Sequence, residues 1–262
     1  LESIMVLAKV IEANPHSDFV TQVTIANNQQ NPVHSWALRA MDERQVAFAD
    51  MFVNQVGIFY SRQEGAFENL SDEELEDLGV ESNRPIQVRP LAMTFMAIQG
   101  EVAMMKQLSD AFESQKAYES VFKMAYLNAS AHRIVLAYKI GLLMGSAMSA
   151  LREALPEKYE AAVPRAKNLT WALLHQATRN NAKYPQWVDD YGSSLTKDAA
   201  FREVLTTQVR NRVAPLIKKL FGVPVYQAKV QAGKFDFLRT NEAFKRAMDF
   251  AGDEYGWSKQ VL

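Results

Sequence analysis

The stretch Ile134–Leu151, IVLAYKIGLLMGSAMSAL, decides the class of the fold. Only Lys139 interrupts its run of apolar and small side chains, and Arg133 and Arg152 bound it. A membrane span needs about 20 apolar residues, and a lysine at its centre costs about 2.5–3.5 kcal/mol. The stretch therefore predicts a helix in the core of a helical protein, and we expect no membrane as a partner.

Small side chains recur every four residues along this stretch, at Ala137, Gly141, Gly145 and Ser149. A face of small residues lets the backbone of a second helix approach closely. We therefore expect leucine at either glycine to damage folding by overpacking that contact. We expect Lys139→Ala to be tolerated better.

The helical pattern extends outward from this stretch in both directions, because apolar residues recur at helical spacing from Pro90 almost to the end. One segment differs, since Val223–Val230 has a strand-like composition. The predicted helices are Leu91–Asp110, Ala117–Asn128, His132–Ala154, Pro164–Asn180, Ala199–Phe221 and Asn241–Gly252.

The first 88 residues mix strand and helix signals. Leu1–Glu12 and Ile58–Arg62 are typical of strands, and Asp42 opens a helix that Gly57 ends. Eight acidic residues and no basic one lie between Arg62 and Arg84, where Ser71–Asp77 predicts a capped surface helix or a mobile loop. We predict an α+β, mainly α-helical fold, with a small α+β part at 1–88 and a helical domain at 89–262.

Charge is divided unevenly along a chain whose net charge is -1. Residues 1–164 carry 13 basic and 21 acidic side chains (-8), residues 165–246 carry 15 and 6 (+9), and the rest adds -2. The basic segment predicts either a nucleic-acid contact or a face that complements the acidic half. The candidate binding residues in it are Arg210, Arg212, Lys218 and Lys219.

Signals for catalysis and for metal binding are weak. The chain has no cysteine, and its four histidines are scattered, so we expect no metal site and no cofactor. It lacks glycine-rich phosphate loops, and the nearest approach to the Glu-x-Lys of a metal-dependent nuclease is Gln227-Ala228-Lys229. We expect no complete active site within this chain, although the question of enzymatic activity stays open.

Two further clusters each allow a functional and a structural interpretation. Adjacent Asp189 and Asp190 suit a divalent cation, but they are also typical of a solvated surface. Four aromatic residues lie among basic ones and fit either a base-stacking platform or a helix-packing face. They are Trp171, Tyr184, Trp187 and Tyr191, beside Lys167, Arg179 and Lys183.

The segment Val6–Gly65 resembles the core of the abortive-infection phage-resistance (AIPR) family. The similarity lies in an Ala-x-Asn-x-Gln-Asn element that ends a helix and in a Gly-x-x-Tyr-x-x-x-x-Gly strand. Ala37 departs from the pattern, since an acidic residue is expected there. The matching residues are Ala26, Asn28, Gln30, Asn31, Val33, Leu38, Ala40, Asp42, Gln45, Phe52, Gly57, Tyr60, Arg62 and Gly65.

The resemblance implies a role in bacterial defence against phage, with any catalytic residues upstream of this region. We therefore expect the chain to be part of a longer protein. Asn28, Gln30 and Asn31 either cap a helix and order a loop or present amide groups to a nucleic-acid base or a protein.

We interpret the chain as a fragment of a cytoplasmic bacterial phage-resistance protein that acts as a sensing or nucleic-acid-binding module. One alternative is part of a metal-dependent nuclease whose catalytic residues lie upstream. Another is a structural module for oligomerisation or protein interaction. The expected partners are DNA or RNA, or a phage or self protein, and the oligomeric state stays open.

Overall fold

The computed structural model describes residues 35–262, and the predicted mainly helical α+β fold is confirmed there. Two short strands, β1 (Tyr60–Ser61) and β2 (Ile86–Gln87), pair in parallel. Short 3-10 turns join several helices. The helices are α1 (Ser35–Leu38), α2 (Glu43–Val56), α3 (Asp72–Asp77), α4 (Val88–Gln99), α5 (Asp110–Glu113), α6 (Gln115–Val121), α7 (Ala131–Leu142), α8 (Met144–Ala154), α9 (Lys167–Arg179), α10 (Tyr184–Tyr191), α11 (Ala199–Gln208), α12 (Ala214–Phe221), α13 (Pro224–Gln231) and α14 (Asn241–Tyr255).

Helix α2 begins and ends where the sequence predicts. The Asp42 carboxylate accepts a hydrogen bond from the Arg44 N–H at 3.0 Å, which satisfies one of the free donors of the first turn. At the other end Gly57 adopts a left-handed conformation, with φ 61°, and its N–H donates to carbonyls of the last turn. The helix buries Phe48 and Phe52 completely.

The acidic segment forms the connection between the two parallel strands. Its helix α3 has a capping box, in which Ser71 and Glu74 each accept the other's backbone N–H. That helix buries none of its residues, so local capping rather than packing defines it. The predicted surface helix is confirmed.

The stretch 134–151 forms two helices instead of the single one predicted. Helices α7 and α8 meet at Leu143 with a bend of 55°. Neither is long and apolar enough to cross a membrane, nor is any other single helix in residues 35–262; the bent pair meets the length and composition criteria only when taken together.

Lys139 is fully buried in α7. Its ammonium donates to the Tyr191 carbonyl at 2.6 Å and to the Asp198 carboxylate at 3.0 Å, and these two partners replace water. Burial lowers the pKa of Lys139, and the hydrogen bond to Asp198 opposes that shift. The lysine is thus part of the core of α7, so the expectation that Lys139→Ala is tolerated better than leucine at both glycines stays a prediction that these contacts make demanding.

The small-residue face splits at the bend. A Cβ atom at Gly141 would overlap the Trp171 ring of α9, so this glycine allows the close contact that the sequence predicts. A Cβ atom at Gly145 would meet nothing within 4 Å. The predicted close approach therefore involves α7 and not α8.

Several predicted elements differ from the structure in their type, their end or their continuity. Val223–Val230 is helical rather than strand-like, because Pro224 occupies the first turn of α13, where a missing N–H costs nothing. Helix α4 stops at Gly100, whose φ of 75° favours glycine and whose Cα packs directly against Phe244. Between α11 and α12 a π-helical turn, Val209–Val213, widens an otherwise continuous helix.

Buried apolar residues on both sides of residue 88 pack into one hydrophobic cluster. It extends from Trp36 near the start of the described chain to Ala251 in α14. Helix α4 follows β2 without a linker, so it joins the strand pair to the helices behind it. The division into parts at 1–88 and 89–262 stays a prediction.

Candidate ligand-binding sites

A buried chain of hydrogen bonds joins α2, β1 and α6. The Tyr60 hydroxyl donates to the side-chain oxygen Oε1 of Gln45, and the side-chain nitrogen Nε2 of Gln45 donates to the Tyr118 hydroxyl at 2.8 Å. The Tyr118 hydroxyl in turn donates to the Asp42 carboxylate at 2.9 Å. Burial raises the pKa of Tyr60 and of Tyr118 well above the usual value, so both hydroxyls stay protonated.

This network explains residues on which the family resemblance rests. Asp42, Gln45 and Tyr60 hold three elements in register, and Arg62 donates to the Ala40 carbonyl at 2.9 Å. Gly57 supplies the left-handed turn between α2 and β1. Their contacts are internal, so in the described part of the chain these residues support the fold.

A cavity of about 540 Å³ lies where both strands end, and we call it the strand-end cavity. Its apolar walls are Trp36, Met93, Leu108 and Trp171, and its polar lining includes Ser61, Gln63, Glu64, Gln87 and Arg89. The Arg89 guanidinium lies 4.4 Å from the centre of the Trp36 ring. An apolar cavity of this size with a few polar groups is typical of a small-molecule site.

A smaller cavity of about 190 Å³ has a different chemistry, and we call it the basic cleft. Four cationic side chains line it, from Lys106, Arg165, Lys167 and Arg239, together with Pro164 and Asn168. Within residues 35–262 its ion pairs involve Asp236 alone, at 3.6 Å from Arg165 and 3.9 Å from Arg239. The cleft therefore concentrates positive charge where an anion can reach it.

The basic residues singled out on the π-turn and α12 lie on the surface, but most of them face carboxylates or aromatic rings of the same chain. Arg210 pairs with Glu153 of α8 at 2.9 Å, and Lys219 pairs with Glu254 of α14 at 2.5 Å. The Arg212 guanidinium lies 4.4 Å from the centre of the Tyr255 ring, whereas Lys218 is exposed. The structure thus shows complementary charges within the molecule, including one pair between the acidic and basic halves.

The other candidate residues from the sequence lie in three separate places. Asn28, Gln30 and Asn31 lie outside the described residues. Asp189 and Asp190 are exposed on α10, and no group of three or more metal-ligating side chains occurs in residues 35–262. Lys229 lies on helix α13 rather than on a strand.

The aromatic residues near the basic ones are a helix-packing face. Trp171, Tyr184 and Trp187 are each at most 8% exposed, and the Arg179 guanidinium covers the Tyr184 ring at 4.5 Å. Trp171 nevertheless keeps an edge on the strand-end cavity. Most of the cluster therefore packs helices together rather than offering a surface on which bases could stack.

Sequence reasoning missed both cavities. The basic cleft gathers residues from turns near 106, 165 and 239, which no local pattern connects. The strand-end cavity depends on a parallel pairing of two-residue strands that are too short to predict. A usable signal was Pro164-Arg165-Ala166-Lys167, where two cations flank the start of a predicted helix.

Comparison with known proteins places the chain in a family. The family described as AIPR protein matches residues 1–220 of the 262, a larger share than the 60 residues that carry the visible resemblance. No curated protein and no solved structure matches the chain. The chain belongs to the AIPR family, whose role is abortive infection and phage resistance.

Proposed function

We propose that this chain is a nucleic-acid-binding module of a cytoplasmic phage-resistance protein. The observation that carries the proposal is the basic cleft, where four cations converge from three segments distant in sequence. Family membership supports the defence role, and the cleft suggests how the module contacts its partner.

Phosphate is the group that this cleft suits best. Lys167 is the first residue of the 13-residue helix α9, so the positive end of that helix adds to the charge of the cleft. Arg165 and Arg239 share one carboxylate, leaving donors of both guanidinium groups for a ligand. Backbone phosphates of either DNA or RNA fit such a site without sequence readout.

The cations of the π-turn and α12 offer a weaker contact. Arg210 and Lys219 would first have to leave Glu153 and Glu254, and Arg212 its place on Tyr255. Lys218 is exposed and extends the same basic segment. We therefore propose the basic cleft as the principal contact and these residues as a secondary one.

The test is a titration of duplex DNA and of single-stranded RNA between low and physiological salt. Lys106→Glu combined with Lys167→Glu should weaken binding at least about tenfold and reduce the log–log salt slope by about 2, since each phosphate contact contributes about 0.9 on duplex DNA. The matched control is Lys116→Glu combined with Lys229→Glu, which places the same charge change on exposed helical lysines outside both proposed contacts.

Equal losses of affinity from the two double variants would show that positive charge anywhere on the surface attracts the nucleic acid, and would overturn the assignment to the cleft. Binding that is indifferent to salt and to both charge reversals would overturn nucleic-acid binding itself. The circular dichroism spectrum should match that of the wild type in both variants, because all four lysines are exposed.

A further inference from the structure

We propose that the strand-end cavity binds a mononucleotide, separately from the basic cleft. The two sites share no lining residue, so this inference does not depend on the proposed function. It gives the module a small-molecule site in addition to its polymer contact. A nucleotide combines a planar base, hydroxyl groups and a phosphate, and the cavity offers a feature for each of the three.

The cavity lies at the carboxyl ends of both parallel strands. In open α/β sheets, ligands bind in the crevice outside the carboxyl ends of the parallel strands. Residues 63–65 follow β1 and residues 88–90 follow β2, and both groups line the cavity. The cavity is therefore built from the two chain segments that leave the strands together.

The walls supply surfaces for a planar ring. Trp36 and Trp171 are 8% and 7% exposed, so each is fixed by packing and presents only an edge or face to the cavity. Met93 and Leu108 complete the apolar lining. Aromatic side chains stack on any nucleobase, as they do in single-stranded nucleic-acid complexes.

The position of Trp171 depends on a specific contact behind it. The ring packs against Gly141 of α7 with no room for a Cβ atom there. A larger residue at 141 would have to push the indole away from α7, and the strand-end cavity borders that indole. The width of the cavity is thus coupled to the size of residue 141.

Polar groups at the rim suit the rest of a nucleotide. Arg89 lies near the start of α4, where Gln87 makes no side-chain cap, and its exposed guanidinium can pair with a phosphate while it remains over Trp36. Glu64 can accept hydrogen bonds from sugar hydroxyls, as acidic residues do in dinucleotide sites. Gln63 and Gln87 provide amide donors and acceptors for a base edge.

The experiment titrates the full chain with AMP, GMP, CMP and UMP, by calorimetry and by quenching of tryptophan fluorescence. Saturable binding of at least one nucleotide is expected, with the matching nucleoside and inorganic phosphate each binding at least about tenfold more weakly. No saturable binding of any of the four below about 1 mM would overturn the proposal. Equal affinity for nucleotide and free phosphate would also overturn it, since the walls would then contribute nothing.

Matched variants assign the site. Arg89→Gln should weaken nucleotide binding about tenfold or more, because it removes a charge-assisted hydrogen bond. Arg84→Gln removes an exposed cation just before β2, beside a different cavity, and should leave the affinity unchanged. Similar losses from both variants, or no loss from Arg89→Gln, would overturn the assignment.

Two further readouts separate this site from the basic cleft. Trp36→Phe should reduce the fluorescence change on nucleotide addition while the protein stays folded. A saturating duplex DNA oligonucleotide should not displace the nucleotide. Displacement by the duplex would place the nucleotide in the cleft and would overturn the proposal of a separate site.

Discussion

Helices α7 and α8 come from one stretch of similar composition, yet they have different environments. Eight of the twelve residues of α7 are buried, including Lys139, whereas α8 buries four of its eleven. Gly141 is pressed against Trp171 while Gly145 is open to solvent. A repeat of small residues therefore marks a potential helix contact, and the bend at Leu143 decides which part of the repeat makes that contact.

The largest effect that this comparison predicts comes from Gly141→Leu. The new side chain would collide with the Trp171 ring at a site enclosed by two helices, and we expect destabilisation of about 3 kcal/mol or more. Urea denaturation measures the free energy of unfolding. A midpoint close to that of the wild type would show that α7 and α9 separate easily, and the contrast with α8 would then be lost.

Lys139→Ala should have the next largest effect. It leaves a cavity, removes the donor to the Tyr191 carbonyl and leaves Asp198 without its ion pair, so we expect a loss of about 2–3 kcal/mol. Asp198 is one-third exposed and can regain water, which keeps the loss moderate.

Lys139→Met provides the control for that result. It keeps the volume of the side chain without its charge, so its loss should be the smaller of the two. If the alanine and methionine variants unfold at the same denaturant concentration, the packed stem of Lys139 contributes nothing.

His175, on the same helix as Trp171, predicts a pH effect of intermediate size. Burial lowers the pKa of His175 to about 3, so the unfolded chain binds its proton near pH 6.5 while the folded chain does not. The group's contribution to stability is therefore present above pH 6.5 and falls by up to about 1.4 kcal/mol per pH unit below it, until about pH 3. Denaturation at pH 7 and 5.5 should show this slope, and His175→Leu should reduce it by one proton.

The smallest effect is expected from Gly145→Leu. Nothing lies within 4 Å of a Cβ atom built there, so the free energy of unfolding should change by less than about 1 kcal/mol. A surface substitution typically changes it by up to about 0.5 kcal/mol, and the higher helix propensity of leucine can account for the rest. A loss comparable to that of Gly141→Leu would mean that this face of α8 is covered in solution, and it would favour the protein-interaction alternative.

Local signals made much of the fold predictable. Asp42 with Gly57 and Ser71 with Glu74 define the ends of helices through contacts within a few residues, and those elements are where the sequence places them. The bend at Leu143 and the end of α4 at Gly100, which packs against Phe244, both fall within stretches that the sequence predicts as continuous helices. The prediction of a strand-like Val223–Val230 was wrong, because the β-branched residues favoured a strand over the helix start that Pro224 indicates.

The candidate sites were harder to predict for the same reason. The sequence identifies a basic segment, but whether a given cation is available depends on tertiary neighbours such as Glu153 beside Arg210. Lys106 belongs to the half that the charge count describes as acidic, yet it completes the basic cleft. The strand-end cavity is formed by backbone pairing and two tryptophans that have no common sequence pattern.

The charges that line the two cavities have a kinetic consequence. The strand-end cavity is lined by one cation, Arg89, and one carboxylate, Glu64, whereas the basic cleft is lined by four cations. Added salt screens the attraction of an anion to the cleft more than to a lining whose formal charge is zero. Association of a nucleotide with the strand-end cavity should therefore change little as ionic strength rises, while association of a polyanion with the basic cleft becomes slower. Stopped-flow rates at two salt concentrations would thus distinguish the two entrances without any substitution in the protein.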